Sequence, residues 1–503
     1  MRLLSGPLFW WMKNRMHQIE IFKSYPFDVQ QKQLHSILFK AKDTQFGKNH
    51  NFGQIDSLEK FRKEVPITTY ENFHPYIEKA LMGEKNVLWP GKTKWFSKSS
   101  GTTNAQSKFI PISVDSLEDC HYKGGKDMFT LYAMAYPDTD IFSHQNLRLG
   151  GSNVLDKKAD VITGDLSSIL IQNLPIWAEL KNVPNKEISL MANWEEKMPA
   201  IISAVYNQDV GCLTGVPSWM LVLLSRLLKE KNAETLDALW PNLEVFFHGG
   251  INFSPYREIY KSLSSKELRF WEIYNASEGT FAIQDRAENS DLLLMLDYGI
   301  FYEFIPMDQF DLPNPKALSL EEVEIDKNYA LVITTNGGLY RYLIGDTVKF
   351  TSLAPFRIRI TGRTKHFINA FGEELIIDNA EQALEEACQK TKANLIDYTA
   401  APIFMDQKSK GSHQWLIEFE KKPDNLESFT HFLDQKLQSL NSDYKAKREN
   451  NLTLETPRVV VAPKGLFHLW LEKKGKLGGQ NKVPRLSNTR EYIEEMLSLI
   501  KET

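Results

Sequence analysis

Residues 97–104 read Ser97-Lys98-Ser99-Ser100-Gly101-Thr102-Thr103-Asn104, and Lys108 follows shortly after. Such a loop can wrap a polyphosphate, because a glycine lets the backbone approach closely and the hydroxyl and amide groups donate hydrogen bonds to anionic oxygens. The spacing G-x-x-x-x-G-K-[ST] of a Walker A loop is missing. Most Ser/Gly/Thr clusters are ordinary solvated turns, so the loop predicts a phosphate site only together with other segments.

The composition describes a globular protein with several domains. The chain has 503 residues, of which 42% are hydrophobic and 25% charged, and this length predicts roughly two to four domains. Sixty basic and sixty-four acidic residues give a formal charge of −4, so no overall charge favours nucleic acid or an anionic membrane as a partner. Small molecules are therefore the expected partners.

The cysteines and the N-terminus indicate a cytoplasmic protein without a membrane span. Cys120, Cys212 and Cys388 lie far apart and form no C-x-x-C pair, so we expect neither a zinc site nor a disulfide framework. The apolar run Leu8-Phe9-Trp10-Trp11-Met12 is short and is followed by charged residues, which favours a helix docked on the body over a secretory signal. No apolar segment reaches the length of a membrane span.

The order of periodic segments predicts an α/β (mixed α+β) fold with two domains. Mainly helical segments come first, and helices then alternate with short strands, which predicts sheets covered by helices. A β-rich part spans about residues 290–362, and it includes strands at 340–344 and 348–350 joined by a turn. We expect a large N-terminal domain over residues 1–365 and a small α+β domain over 366–503. In the latter, Asp378 and Glu381 predict a capping box that opens a helix.

Two carboxylates occupy turns that could bind parts of a nucleotide. Glu278 follows the predicted strand that ends in Tyr274-Asn275-Ala276-Ser277, where a carboxylate can hold a hydrated divalent cation. Asp346 follows Gly345, where an ionised carboxylate could accept hydrogen bonds from both hydroxyls of a ribose. Simple β-turns with exposed carboxylates are the alternative interpretation of both segments.

Two glycine-containing segments extend this pattern. His248-Gly249-Gly250 follows a predicted strand and would let a flat ligand such as adenine approach the backbone, although His248 itself is expected to be a packed histidine. Lys482 lies in Gly478-Gly479-Gln480-Asn481-Lys482-Val483-Pro484-Arg485, where glycines would make the loop mobile. A lysine on such a loop can bring a compact positive charge to developing anionic oxygens.

In their order along the chain, these segments resemble the auxin-responsive-promoter family of acyl-acid amido synthetases, also called the Gretchen Hagen family. The family motifs resemble SSGT[ST], Y-x-A-S-E and Y-R-x-G-D, and they correspond here to residues 99–103, 274–278 and 340–346. The last motif is often YRYRLGD, whereas this chain has Leu343 where the second arginine is expected. Residues 368–374 and 481–485 also resemble family segments, and the chain is more similar to the bacterial branch than to the plant branch.

The resemblance implies an adenylate-forming enzyme with ATP as co-substrate and Mg²⁺ as metal ion. It implies catalytic roles for Lys482 and Glu278, with Glu278 also contacting the metal. The implied nucleotide-binding residues are Ser99, Ser100, Gly101, Thr102, Thr103, Lys108, Gly249, Gly250, Tyr274, Ala276, Ser277, Tyr340, Arg341, Asp346 and Arg363. The small C-terminal domain would move about a hinge near Arg363 to Lys365 between the two steps of the reaction.

The implied reaction joins a small carboxylic acid to an amine through an acyl-AMP, and the expected amine is that of an amino acid. An acyl-CoA ligase shares the first step and is one alternative, and a nucleotide-binding regulatory protein without catalysis is another. The motif forms favour the amide synthetase, and the joint presence of Glu278, Asp346, Arg363 and Lys482 argues against the regulatory protein. Trp177, Trp219 and Tyr206 are candidates for the lining of the acyl pocket, although aromatic residues at these spacings are more often core.

Overall fold

The computed structural model describes residues 6–99, 108–150, 155–158, 160–251, 253, 256–287, 291–310, 312–364, 367–406, 409–449, 453–474 and 483–502. Helices dominate the N-terminal segment, as predicted. Thr69 caps one of them together with Asn72, whose Oδ1 accepts from the Thr69 backbone N–H at 3.0 Å. These helices are α1 (Gly6–Ser24), α2 (Pro26–Ala41), α3 (Gln45–Asn49), α4 (Leu58–Glu64) and α5 (Tyr70–Leu81). Within the described part of the chain, no helix combines the length and apolarity that crossing a membrane requires.

The middle of the chain forms two sheets with helices packed on them, which confirms the mixed α/β prediction. The strands are β1 (Trp95–Ser99), β2 (Lys108–Ile112), β3 (Gln145–Arg148), β4 (Asp156–Lys158), β5 (Val161–Gly164), β6 (Asn182–Val183), β7 (Val210–Gly215), β8 (Val245–Gly249), β9 (Arg269–Ala276), β10 (Gly279–Gln284), β11 (Leu292–Leu294), β12 (Ile300–Pro306), β13 (Asn328–Thr335), β14 (Tyr342–Leu353) and β15 (Phe356–Arg363). The helices are α6 (Val114–Ser116), α7 (Lys123–Ala135), α8 (Leu166–Gln172), α9 (Ile176–Glu179), α10 (Lys186–Ser189), α11 (Trp194–Val205), α12 (Pro217–Lys231), α13 (Leu236–Leu239) and α14 (Arg257–Ser262).

The larger sheet changes character at β9. Among the described residues it has eleven strands in the order β12-β13-β14-β15-β11-β10-β9-β8-β7-β3-β6. Strands β9, β8, β7, β3 and β6 are parallel, whereas those from β9 to β12 pair antiparallel. The carboxyl ends of the parallel strands therefore meet at one edge, which is where ligands bind in open α/β sheets.

The helix that covers this edge contains an irregular turn. Ser113 caps it by accepting from the Ser116 backbone N–H at 2.9 Å, and a π-helical segment, Leu117–Tyr122, joins α6 to α7. Residues 114–135 thus form one helical segment with a wider turn in its first half. Phe129 of α7 packs on Phe247 of β8 with ring centroids 4.8 Å apart, so α7 lies on one face of the sheet.

The turn predicted at 345–347 is wrong, because β14 runs without interruption from Tyr342 to Leu353. Gly345 has φ +95° and lies in an irregularity of the pairing with β13, whose register shifts between Leu343 and Thr347. Asp346 consequently lies opposite Arg363 on the neighbouring strand β15. A glycine with positive φ is typical of such bulges as well as of turns, and sequence pattern alone does not separate them.

The C-terminal part is a small α+β unit. Its elements are β16 (Phe367–Ile368), β17 (Leu375–Ile376), α15 (Ile377–Thr391), β18 (Asn394–Ile403), β19 (Ser412–Lys421), α16 (Leu426–Leu440), α17 (Ser442–Arg448), β20 (Arg458–Ala462), α18 (Leu466–Lys473) and α19 (Glu491–Glu502). The capping prediction at Asp378 is wrong: α15 begins at Ile377, and Asn379 accepts from the Ile376 backbone N–H at 3.4 Å. This unit contacts the larger part through Tyr256, whose hydroxyl donates to the Ala370 carbonyl at 2.7 Å.

Candidate active site

Several of the predicted site residues lie where the parallel and antiparallel halves of the large sheet meet. Gly249 ends β8, Ala276 ends β9, and Ser277 and Glu278 form the turn into β10. Ser99 ends β1 and pairs with Lys108 at the start of β2. Ser277 connects the two sheets, because its hydroxyl lies 2.8 Å from the Ser97 hydroxyl. The edge of the large sheet and the ends of the predicted phosphate loop therefore form one cleft.

Asp346 is the centre of a buried polar chain. Its Oδ2 accepts from the Tyr274 hydroxyl at 2.6 Å, and its Oδ1 accepts from Arg363 Nε at 2.8 Å. Arg363 also donates through Nη2 to Glu374 Oε1 at 3.0 Å. Burial lowers the pKa of Arg363, but the negative charges of Glu374 and Asp346 outweigh this effect and raise the pKa above its ordinary value. The chain thus fixes the orientation of a carboxylate that retains free lone pairs.

This contact also shows how strongly the sheet curls. Strands β9 and β14 are separated by three strands in the sheet order, yet Tyr274 on β9 reaches Asp346 on β14. A flat sheet would hold these strands roughly 19 Å apart at about 4.8 Å per step. Strong coiling of the antiparallel half therefore brings the second and third sequence motifs together.

Glu278 is half-buried in the same cleft. Burial raises the pKa of its carboxyl to about 7, and the positive charge of Lys108 acts in the opposite direction. Asp346 and Glu374 raise it further. A positive charge that binds beside this carboxyl would stabilise its ionised form. Among the described residues, no group of three or more His, Cys, Asp or Glu side chains could by itself hold a metal ion.

Two further features lie at this edge of the sheet. Gly249 is required by its packing against β9, because an added Cβ would lie 2.3 Å from the Ile273 carbonyl oxygen, whereas an added Cβ at Gly250, which has φ +84°, would meet only Val216 at 3.6 Å among the described residues. The hydroxyl of buried Tyr342 has no hydrogen-bond partner within the described residues, and its electrostatic neighbours include Glu278 and Arg363. His248 is packed, as expected: it stacks on Phe253 with ring centroids 3.9 Å apart, and burial lowers its pKa to about 3.

Arg341 and Tyr340 do not lie with the other predicted nucleotide ligands. The Arg341 guanidinium is buried and donates to both carboxylate oxygens of Glu303, through Nε at 2.8 Å and Nη2 at 3.2 Å. Its Nη1 donates to the Val65 carbonyl at 2.8 Å, just past α4. The Tyr340 hydroxyl donates to the Leu88 carbonyl at 2.5 Å inside the N-terminal core. The contacts of both side chains are structural, and this part of the prediction is corrected.

The Glu303→Gln variant tests this correction. We expect the free energy of unfolding to fall by about 3 kcal/mol, because breaking a buried ion pair leaves the Arg341 charge uncompensated. We expect the KM for ATP to stay within about twofold, since catalysis would not use this pair. Urea unfolding and steady-state kinetics measure the two quantities, with the exposed Glu321→Gln as control. A large increase in KM at unchanged stability would contradict the structural assignment.

Several predicted residues lie outside the described part of the chain. They are Ser100, Gly101, Thr102, Thr103 and Lys482. Of the aromatic candidates for the acyl pocket, Trp219 packs in the core beside Lys447 and Tyr206 is largely exposed under Lys231. The side chain of Trp177 is not described.

Sequence reasoning missed three polar groups near the site: Ser97, Tyr342 and Glu374. Ser97 and Tyr342 lie inside segments that were singled out, yet their partners are distant in sequence. Glu374 belongs to the family-like segment 368–374, which was noted without a role for any one residue. The pairing of a carboxylate with a distant arginine leaves no local signal.

Comparison with known proteins gives a consistent assignment. Three family models match in order: the GH3 family N-terminal domain over residues 15–268, the central domain over 293–363 and the C-terminal domain over 378–491. Indole-3-acetic acid-amido synthetase GH3.3 of Arabidopsis thaliana is 20% identical, over 94% of this chain and 92% of the relative. Jasmonoyl–L-amino acid synthetase JAR4 of Nicotiana attenuata is 23% identical, over 66% of this chain and 68% of the relative.

Solved structures share the fold over nearly the whole chain. The AtGH3.15 acyl acid amido synthetase in complex with 2,4-DB has a TM-score of 0.63 at 18% identity and covers 97% of this chain and 96% of its own. A 2-hydroxyisobutyryl-CoA ligase in complex with 2-HIB-AMP and CoA has a TM-score of 0.61 at 12% identity, over 95% and 93% of the two chains. The matched models, the order of the motifs and the cleft lead to one conclusion: the chain belongs to the GH3 family.

Proposed function

We propose that this protein activates a small carboxylic acid with ATP and transfers the acyl group to the amine of an amino acid. The observation that carries the proposal is the buried chain Tyr274–Asp346–Arg363–Glu374 at the sheet edge of a GH3-family protein. Related enzymes are named as acyl-acid or indole-3-acetic acid amido synthetases. Their names support amide formation over other uses of an acyl-AMP.

The residues of the cleft fit the parts of ATP. Asp346 keeps lone pairs for two ribose hydroxyls after accepting from Tyr274 and Arg363. Gly249 and Gly250 offer bare backbone for adenine, and the unpaired Tyr342 hydroxyl offers a donor. We assign Ser99 to Thr103 and Lys108 to the phosphates, with Ala276 and Ser277 beside them. When bound at Glu278, Mg²⁺ would supply positive charge that stabilises phosphate oxygens.

The chemistry explains why both substrates are needed. An amine cannot expel oxide from a carboxylate, so an oxygen of the acid first attacks the α-phosphorus of ATP and pyrophosphate leaves. The amine nitrogen then attacks the acyl carbon of the acyl-AMP, AMP leaves with the bonding electrons, and the nitrogen loses a proton to solvent. We assign Lys482 to the stabilisation of the developing negative charge in the first step. A rotation of residues 366–503 about Arg363 to Lys365 would then expose the acyl carbon to the amine.

ATP–pyrophosphate exchange tests the first step. We expect exchange with at least one member of a panel of aryl, indolyl and fatty acids, with Mg²⁺ present and without amine or CoA. Addition of amino acids should then convert the exchanging acid into an amide, which mass spectrometry detects. AMP release that depends on CoA instead would indicate a ligase of the thioester type, and nucleotide binding without any exchange would indicate a regulatory protein.

The free cysteines, of which Cys120 and Cys212 are buried, support a reducing compartment such as the cytoplasm.

A further inference from the structure

Arg148 ends strand β3 at the same edge of the sheet and is poorly paired. Its side chain is only 12% exposed, and within the described part of the chain its one ionic contact is from Nη2 to Glu179 Oε2 at 3.5 Å, the outer limit of a hydrogen bond. Among the described residues, Nε and Nη1 of Arg148 have no hydrogen-bond partner. A buried guanidinium in this state is costly, because its lost hydration is not replaced.

Glu179, at the end of α9, has an acceptor atom without a partner among the described residues, just as Arg148 has donor atoms without one. Its Oε1 is buried and has no hydrogen-bond partner in the described part of the chain, although 25% of the side chain remains exposed. The pair therefore leaves donors on one side and an acceptor on the other. Burial lowers the pKa of Arg148 while Glu179 opposes this, which fits a charge that is only half compensated. A pair kept this loose is better explained by a missing ligand group than by stability.

The register of the sheet places Arg148 on the face that α7 covers. Arg148 pairs with Thr214 on β7, and Thr214 pairs with Phe247 on β8, so these three side chains lie in one row. Phe247 contacts Phe129 of α7, and Gly249 lies two residues farther along the same face. Two strand spacings separate β3 from β8, about 10 Å. A small organic molecule could therefore span the distance between Arg148 and the cleft.

The space between the row and the covering helix is partly open. An added Cβ at Gly125 of α7 would meet no atom within 4 Å among the described residues outside its own helix. Tyr122, one turn earlier, couples electrostatically to Arg148 and donates to the Leu170 carbonyl at 2.9 Å. Four partly buried leucines pack against the apolar cluster that contains Tyr122, namely Leu155, Leu166, Leu170 and Leu174. The described contacts therefore place an aromatic hydroxyl near Arg148 and an apolar cluster around that tyrosine.

We infer that Arg148 and Glu179 recognise a hydroxyl group at the end of the acyl substrate remote from its reacting carboxylate. The inference rests on the proposed function, in which the carboxylate of the acid reacts with ATP bound in the cleft. A hydroxyl oxygen accepts from the Arg148 guanidinium while its proton goes to Glu179, so one group satisfies both residues. A second carboxylate would pair with Arg148 but would be repelled by Glu179. The substrate class is accordingly hydroxyaryl or ω-hydroxy acids.

Matched acid pairs test the inference. We would measure kcat/KM in ATP–pyrophosphate exchange for hydroxylated acids and for the same acids lacking the hydroxyl, such as 3-(4-hydroxyphenyl)propanoate and 3-phenylpropanoate. The wild type should prefer the hydroxylated member by at least about tenfold, the scale of one hydrogen bond to a charged group. Arg148→Met should reduce the ratio to about one, and Glu179→Gln should reduce it partially. Arg226→Met, which removes an exposed arginine of α12, should leave it unchanged.

Stability and direct binding separate this inference from the proposed function. Arg148→Met should leave the Tm unchanged or raise it, because an unpaired buried charge is removed, whereas marked destabilisation would show a structural ion pair and overturn the inference. Equal kcat/KM values for both members of every pair, or a preference for a distal carboxylate, would also overturn it. If no acid supports exchange, the proposed function fails. In that case calorimetric titration with 3-(4-hydroxyphenyl)propanoate decides the inference: binding that Arg148→Met abolishes supports it, and absence of binding overturns it.

Discussion

Asp346→Asn is expected to lower kcat/KM for ATP by about 10²–10³-fold. The carboxylate accepts from Tyr274 and Arg363 and, in the proposed complex, from two ribose hydroxyls. An asparagine amide nitrogen cannot accept any of these bonds, so at least one ribose bond and one protein bond are lost together. Hydrogen bonds to charged groups are worth about 1.5–3 kcal/mol each, and the loss of two at the lower end of this range, about 3–4 kcal/mol in all, corresponds to the stated decrease.

The control separates the loss of binding from general damage to the strand. Asp326→Asn removes an exposed carboxylate that pairs with Lys349, which lies on β14 as Asp346 does. This variant should therefore leave kcat/KM for ATP unchanged. Nucleotide-dependent stabilisation provides a second readout: ATP should raise the Tm of the wild type and of Asp326→Asn, but not that of Asp346→Asn. An Asp346→Asn enzyme with wild-type kcat/KM for ATP would remove Asp346 from the proposed nucleotide site.

Asp346 also illustrates what the sequence could and could not predict. Local signals mark helices such as α12, which has a proline in its first turn, and α16, whose buried apolar residues recur at helical spacing. They were misleading at Gly345, because a glycine between two apolar runs favours a hairpin, and only the pairing of the whole strand with β13 shows a bulge there. Long-range pairing decided this segment, and such pairing has no signature within a short window of sequence.

The YRYLIGD segment shows the same limit for the site. Tyr340, Arg341 and Asp346 lie within one motif, but the first two face the N-terminal core and only Asp346 reaches the cleft. Arg341 has φ +45°, which turns the chain between the core and the strand. Motif membership therefore does not predict which of its side chains faces the cleft. The partner that anchors Arg341, Glu303, is visible only in three dimensions.

Lys482→Ala should slow acyl-AMP formation by about 10²–10³-fold, the scale for losing one preorganised donor to a transition state. Lys482 lies outside the described residues, so this prediction depends on the family-like segment 481–485 and on the chemistry of the first step. Negative charge develops on the oxygens around the α-phosphorus as the acid attacks. Among the basic residues assigned to the cleft, Lys108 lies near Glu278, whose charge it partly balances. The Lys482 ammonium group would supply the additional positive charge, which stabilises the transition state more than the ground state.

The measurement is the single-turnover rate of acyl-AMP formation, followed by the rate of amide formation from preformed acyl-AMP. The first rate should fall in Lys482→Ala while the second changes little, because a lysine assigned to phosphate chemistry is not needed once pyrophosphate has left. Lys464→Ala, an exposed lysine between β20 and α18, is the matched control and should change neither rate. If Lys482→Ala formed acyl-AMP within about twofold of the wild-type rate, far less than the loss of one donor predicts, the assignment of Lys482 to the first step would be wrong.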